Sequence, residues 1–193
     1  MIITLDGFVY AAQLLKIEVA TVKAVAEVES GGCGFVNGLP VILFEPHVFW
    51  KELRKRKFDP EKYLKDYGDM LYPLWGAKPY PKGQDAQYKR LDRAANINRD
   101  AALCSCSWGK FQIMGYNWQL CGSKTLQEFI NGMHHDEDEH LNLFVNYIRK
   151  TGLDDELRAK DWKGFARGYN GALYYRNNYD KKLLAAYNKF KSL

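Results

Sequence analysis

The chain has little that would cross-link it, anchor it or let it grip a phosphate. No apolar run approaches the roughly 18 residues needed to span a bilayer. No positively charged leader precedes an apolar stretch, because Asp6 follows Ile2 and Ile3 almost at once, so a product made in the cytoplasm is expected. There are only four cysteines (Cys33, Cys104, Cys106 and Cys121), without paired Cys-x-x-Cys knuckles. That spacing argues against a zinc site and leaves reduced, partly buried thiols as the expected state. A phosphate-cradling glycine loop and a Gly-x-Ser-x-Gly elbow are both missing, which removes the usual signatures of nucleotide binding and serine hydrolysis. Repeats, low-complexity tracts and Ser/Pro linkers are absent too, and one domain over residues 1–193, with its core at about 19–190, is expected.

Apolar and aromatic side chains are plentiful. Hydrophobic residues make up 47% of the 193, enough to bury a core without disulfides or metals. Aromatics reach 15%, with 13 Tyr and 5 Trp; most serve a core, and the remainder suit a cleft in which flat rings stack on sugars. A formal net charge of +5 favours polyanionic partners without choosing among them. The one dense basic run, residues 51–57, reads as the solvated face of a helix rather than a nucleic-acid site.

Helical patterning dominates. Helices are predicted over residues 8–16, 19–30 (stopped by Gly31–Gly32), 47–57 after Pro46, a short one from Asp59–Pro60–Glu61, 85–95, 98–105, 134–150, 162–168 behind an Asp161 cap, and 179–191. Thr125 with Glu128 makes a capping box. Residues 35–36 and 41–44 flank Asn37–Gly38 and predict a β-hairpin. Residues 72–83, with Pro73, Pro79, Pro81, Gly76 and Gly83, predict a surface loop. The sum is an α+β fold, predominantly α-helical, with one small β-hairpin or sheet.

Glu29 is the first candidate for chemistry. Val22, Val25 and Ala26 share a helix face with it, so a carboxylate falls on the buried stripe in a last turn. Burial and the negative helix end both raise a carboxyl pKa, the state a glycosidase acid requires. Taken alone, a half-exposed Glu closing a helix beside a glycine is the commoner reading. Two later stretches add weight. Residues 107–114 (Ser-Trp-Gly-Lys-Phe-Gln-Ile-Met) mix small, aromatic and amide side chains as a cleft-lining turn would. Gly168–Tyr169–Asn170–Gly171 ends another helix with a hydroxyl and an amide. Each by itself is compatible with an ordinary turn.

In order, Glu29–Ser30–Gly31–Gly32, Ser107-x-Gly109-x-x-Gln112–Ile113–Met114 and Gly168–Tyr169–Asn170–Gly171 resemble the three-motif signature of goose-type lysozymes and lytic transglycosylases. From about residue 19 to 190 the chain is more closely similar to the phage and prophage N-acetylmuramidase domain. The stretches that carry this are Leu43–Phe44–Glu45–Pro46–His47, Cys106–Ser107–Trp108–Gly109, Asp161–Trp162 and Phe165–Ala166–Arg167. The resemblance implies a lysozyme-like fold, Glu29 as catalytic acid, Gln112 on the cleft floor, and Tyr169 and Asn170 beside the acid and the glycan, with Trp108 among the substrate-binding residues. One feature departs from the transglycosylases, which place the Gln–Met motif close behind the Glu. Here Gln112 lies 83 positions on (112 − 29).

Glu45 is the candidate second carboxylate, an acid after the hairpin where a base for water would be needed; capping the Pro46 helix is the equal alternative. The His134–His140 run of His, Asp and Glu reads as an acid-rich helix start, and no metal is predicted. Residues 180–193 place Leu183, Leu184, Tyr187 and Phe190 on one face among lysines; docking on the core is favoured over a membrane-active helix. The expectation is then an endolysin hydrolysing the β-1,4 bond between N-acetylmuramic acid and N-acetylglucosamine. Its expected partners are peptidoglycan and, second, the anionic outer-membrane surface. No cofactor, nucleic acid or separate wall-binding domain is expected; the chain would be a monomer, reaching the periplasm through a membrane lesion. A lytic transglycosylase and a non-catalytic glycan-binding domain are the alternatives.

Overall fold

The computed structural model describes residues 2–30 and 32–192. Helix α1 (Leu5–Leu15) opens on Thr4, whose hydroxyl accepts from Gly7 N at 3.0 Å. The cap places its start three residues before the predicted one. Helix α2 (Val19–Glu29) ends where Ser30 leaves helical space at φ −82°, ψ 129°. Of the two glycines expected to stop it, Gly31 lies outside the described residues and Gly32 sits at φ 109°.

Strands β1 (Phe35–Val36) and β2 (Leu39–Pro40) pair antiparallel across Asn37 and Gly38, at φ 52° and 78°. Two consecutive positive φ values make the tight turn that Asn-Gly favours. The second arm was expected at 41–44, and this is a correction. Two residues close the hairpin, and β3 (Ile42–Phe44) instead joins a separate sheet. Helix α3 (Pro46–Lys55) carries Pro46 in its first turn, as predicted. A 3-10 turn, Pro60–Tyr63, and the short α4 (Leu64–Tyr67) follow. Residues 71–83 form a loop without helix or strand.

Helix α5 (Gln84–Cys104) breaks at Asn98, which is extended at φ −160°. The Asn98 carboxamide accepts from Ala101 N at 2.8 Å and so caps the second half. The two helices read at 85–95 and 98–105 are these two halves. Strands β4 (Cys106–Trp108) and β5 (Ile113–Met114) complete an antiparallel sheet ordered β3-β4-β5. The outer edge of β3 is closed by amides from α5. Gln84 Oε1 takes Ile42 N at 2.8 Å and Gln87 Oε1 takes Phe44 N at 3.1 Å, leaving no backbone donor of that edge for a foreign strand.

Helix α6 (Leu126–Met133) starts on the Thr125 cap, and α7 (Glu137–Thr151) on Asp136, which accepts from Glu139 N at 2.8 Å. His134 and His135 therefore lie between helices rather than inside the expected 134–150 helix. Helix α8 (Asp154–Ala159) was not foreseen, α9 (Trp162–Asn170) starts on Asp161 as expected, and α10 (Tyr179–Lys191) packs along α2. The apolar face of α10 is docked: Leu183, Ala186 and Tyr187 are buried. The core runs from α1, α2 and α10 through Phe111, Phe144 and Phe165 to Phe44, Phe49 and Trp108. No helix among the described residues is long and apolar enough to cross a membrane.

Candidate active site

Glu29 is the last residue of α2, and the end of that helix opens into a cleft of about 500 Å3. The opposite wall comes from Phe111, Gln112, Ile113 and Met114, and Tyr116, Asn117, Tyr147, Tyr169, Asn170 and Tyr179 complete the lining. The volume and the lining of aromatic rings and amides are those of a pocket for a small polar ligand with flat faces. Among the described residues that line it, Glu29 is the single carboxylate.

Burial pushes the Glu29 carboxyl up from 4.5 to about 7, because withdrawal from water penalises the anion. Two effects oppose this more weakly: Asn170 donates an amide hydrogen bond to Oε1 at 2.9 Å, and the Lys182 ammonium favours the charged form. At neutrality about half of the molecules thus hold the acid protonated, and Asn170 gives the carboxylate left after proton transfer a partner already in place.

Tyr169 lies beside them with its hydroxyl donating to the Phe111 carbonyl at 3.1 Å, which ties α9 to the opposite wall. Its ring stacks on Phe165 at 5.9 Å and meets Phe144 edge-on at 5.3 Å. Burial, with Glu29 next in effect, holds its phenol well above the usual range, so it stays a neutral donor.

Gln112 lines the cleft, but its amide is already committed. Nε2 donates to Gly109 O at 2.8 Å and Val41 O at 3.3 Å, and Oε1 accepts from Ser107 at 2.7 Å. It holds a left-handed backbone at φ 50° and fixes the turn between β4 and β5. Its side chain braces this part of the cleft lining rather than reaching for a ligand.

Two expected site residues lie elsewhere. Trp108 is 1% exposed in the central strand, and its indole N–H donates to Leu103 O at 3.0 Å, so it is a core residue and not a substrate contact. Glu45 does not line the cleft. It follows β3, the strand farthest from β5, where Tyr80 donates to Oε2 and His47 Nδ1 lies at 3.4 Å. Nor does it cap α3 through its side chain. The cleft residues Tyr116, Asn117, Tyr147 and Tyr179 were not foreseen. Tyr116 and Asn117 directly follow the Gln112–Ile113–Met114 motif, and extending it by three positions would have reached them; Tyr179 has no comparable sequence signal.

A mostly helical α+β chain with a small antiparallel sheet, and a carboxyl of raised pKa at a helix end facing a polar aromatic cleft, has the lysozyme-like architecture. The N-acetylmuramidase family model matches residues 18–191, and the chain belongs to that family. The crystal structure of an endolysin from Burkholderia AP3 phage is similar at a TM-score of 0.89 and 35% identity, covering 97% of this chain and 71% of that one. No curated protein sequence matches the chain.

Proposed function

We propose that this protein is an endolysin that cleaves the β-1,4 bond between N-acetylmuramic acid and N-acetylglucosamine in bacterial peptidoglycan, with Glu29 as the general acid. Glu29 protonates the glycosidic oxygen as the bond breaks through an oxocarbenium-like transition state, Asn170 stabilises the carboxylate left behind, and water adds to the anomeric carbon and releases its proton to solvent. The observation that carries the reading is the Glu29 carboxyl set in the cleft against the Asn170 amide, where burial raises its pKa to about 7. The family membership and the phage endolysin neighbour support the substrate class. The host-lysis role, with access to the wall through a membrane lesion, rests on that likeness alone.

A second reading follows from one specific feature, the single carboxylate among the described residues that line the cleft. With Glu45 elsewhere, no second acid among those residues is at hand to activate water. The sugar's own C6 hydroxyl would then attack the anomeric carbon and return its proton to the Glu29 carboxylate, giving a 1,6-anhydro product as a lytic transglycosylase does. Mass spectrometry of muropeptides released by the native protein separates reducing ends from anhydro ends. In the same assay Glu29→Gln should lose about 10²–10⁴-fold in rate, the contribution of a positioned acid. Full activity of that variant would overturn the proposal.

A further inference from the structure

The acidic run after α6 leaves a buried ionic group that the cleft chemistry does not use. Glu137 and His140, the two members facing inward from α7, are 1% and 0% exposed. Glu137 Oε1 accepts from Gly34 N at 2.7 Å, and Oε2 lies 3.0 Å from Lys110 Nζ. The Lys110 ammonium gives its hydrogen bond to Gly32 O at 2.8 Å. Meanwhile Lys110 N–H donates to His140 Nδ1 at 3.1 Å, which places the imidazole proton on Nε2, 2.7 Å from Met133 O. The ring stacks on Phe35 at 4.9 Å.

Both segments held by this group are glycine where they meet it. A Cβ at Gly34 would lie 2.8 Å from His140 Nδ1 and 3.1 Å from Glu137 Oε1; one at Gly109 would lie 2.8 Å from the same ring. Residues 32–34 begin three positions after Glu29, and residues 109–112 carry Phe111 and Gln112 into the cleft. A buried charge pair is a poor source of net stability, so its worth lies in fixing geometry.

We infer that Lys110, Glu137 and His140 are positioning residues, a clamp that holds the chain after Glu29 against the 109–112 turn and so keeps the catalytic acid enclosed. The inference rests on the proposed function for its catalytic meaning, but its first test does not need turnover. In protein labelled with 13C-glutamate, the side-chain carboxyl of Glu29, assigned by its loss in Glu29→Gln, is titrated in the wild type, in Lys110→Met and in Lys110→Met/Glu137→Gln. The double variant leaves no buried charge unpaired and so guards against simple unfolding. The expected result is a midpoint lowered from about 7 by about one pH unit in both variants, as water reaches the acid. On peptidoglycan, the loss of rate at pH 8 should exceed the loss at pH 5 by about tenfold, since the protonated fraction falls tenfold per unit above the midpoint. A midpoint unmoved in both variants while the melting temperature drops would overturn the clamp and leave a merely structural role. A shifted midpoint in a chain that releases no muropeptides would instead sink the proposed function and leave the clamp standing.

Discussion

At the scale of single residues, the chemistry rests on how far the fold keeps a proton on Glu29. In the unfolded chain that carboxyl titrates at its ordinary 4.5, and in the fold at about 7. Between those values the folded chain binds the extra proton, so stability falls as pH rises through the window and the penalty is complete above 7. At roughly 1.4 kcal/mol per unit the penalty is on the order of 3 kcal/mol. Glu29→Gln keeps the acceptor for Asn170 and cannot ionise. It should therefore unfold at higher denaturant than wild type at pH 8 by about that amount, with the difference vanishing below about pH 4.5. Equal stability of the two proteins at pH 8 would show that Glu29 is not held protonated. Asn170→Ala removes the bond that favours the anion, so the alkaline limb of the rate profile should move up, opposite to the clamp variants. A limb that moves down would contradict the assigned role.

At the scale of elements, the question is which side of α10 is structural. Helix α10 packs along α2, and its Leu183 is fully buried, whereas the neighbouring Leu184 is 46% exposed. Leu183→Ala should cost about 2–5 kcal/mol and Leu184→Ala about 0.5 or less, read by chemical denaturation. Comparable losses would mean the helix is not docked as described. This docking was legible in the spacing of Leu183, Tyr187 and Phe190, although Leu184, read on the same face, is exposed; the caps at Thr125 and Asp161 were legible because one side chain meeting one N–H is a local event. The strands were harder to read. A strand of two or three residues shows no periodicity, and β3 finds its partner some 60 residues on, where Phe44 faces Cys106 (106 − 44 = 62). Hence Ile42–Phe44 looked like a hairpin arm, and Glu45 looked like part of the cleft. Trp108 was misplaced for the same reason: a motif gives a residue's neighbours in sequence, whereas the central position of β4 decides which way its side chain faces.

At the scale of the whole molecule, the fold gathers positions 29, 112 and 170 around one cleft, the amide bonded to the acid lying 141 positions on from it. Nothing covalent secures that assembly. All four cysteines are free, with Cys104, Cys106 and Cys121 buried and Cys33 exposed. Burial raises the three inner thiols, Cys121 to about 12 and Cys106 well above the usual range, so almost none of the reactive thiolate is present at neutrality. Cohesion of the core is therefore the only thing that protects them, and their reactivity measures it. With a chromogenic disulfide reagent in native buffer, one equivalent, from Cys33, should react within minutes, and three should follow only as fast as the fold opens. In denaturant all four should react at once, Cys33→Ser should remove the fast equivalent alone, and a reductant should leave the melting temperature unchanged. Two or more fast equivalents in the native protein would mean that the core around at least one of Cys104, Cys106 and Cys121 is open to solvent, and enclosure of Glu29 could not be sustained by packing of that kind.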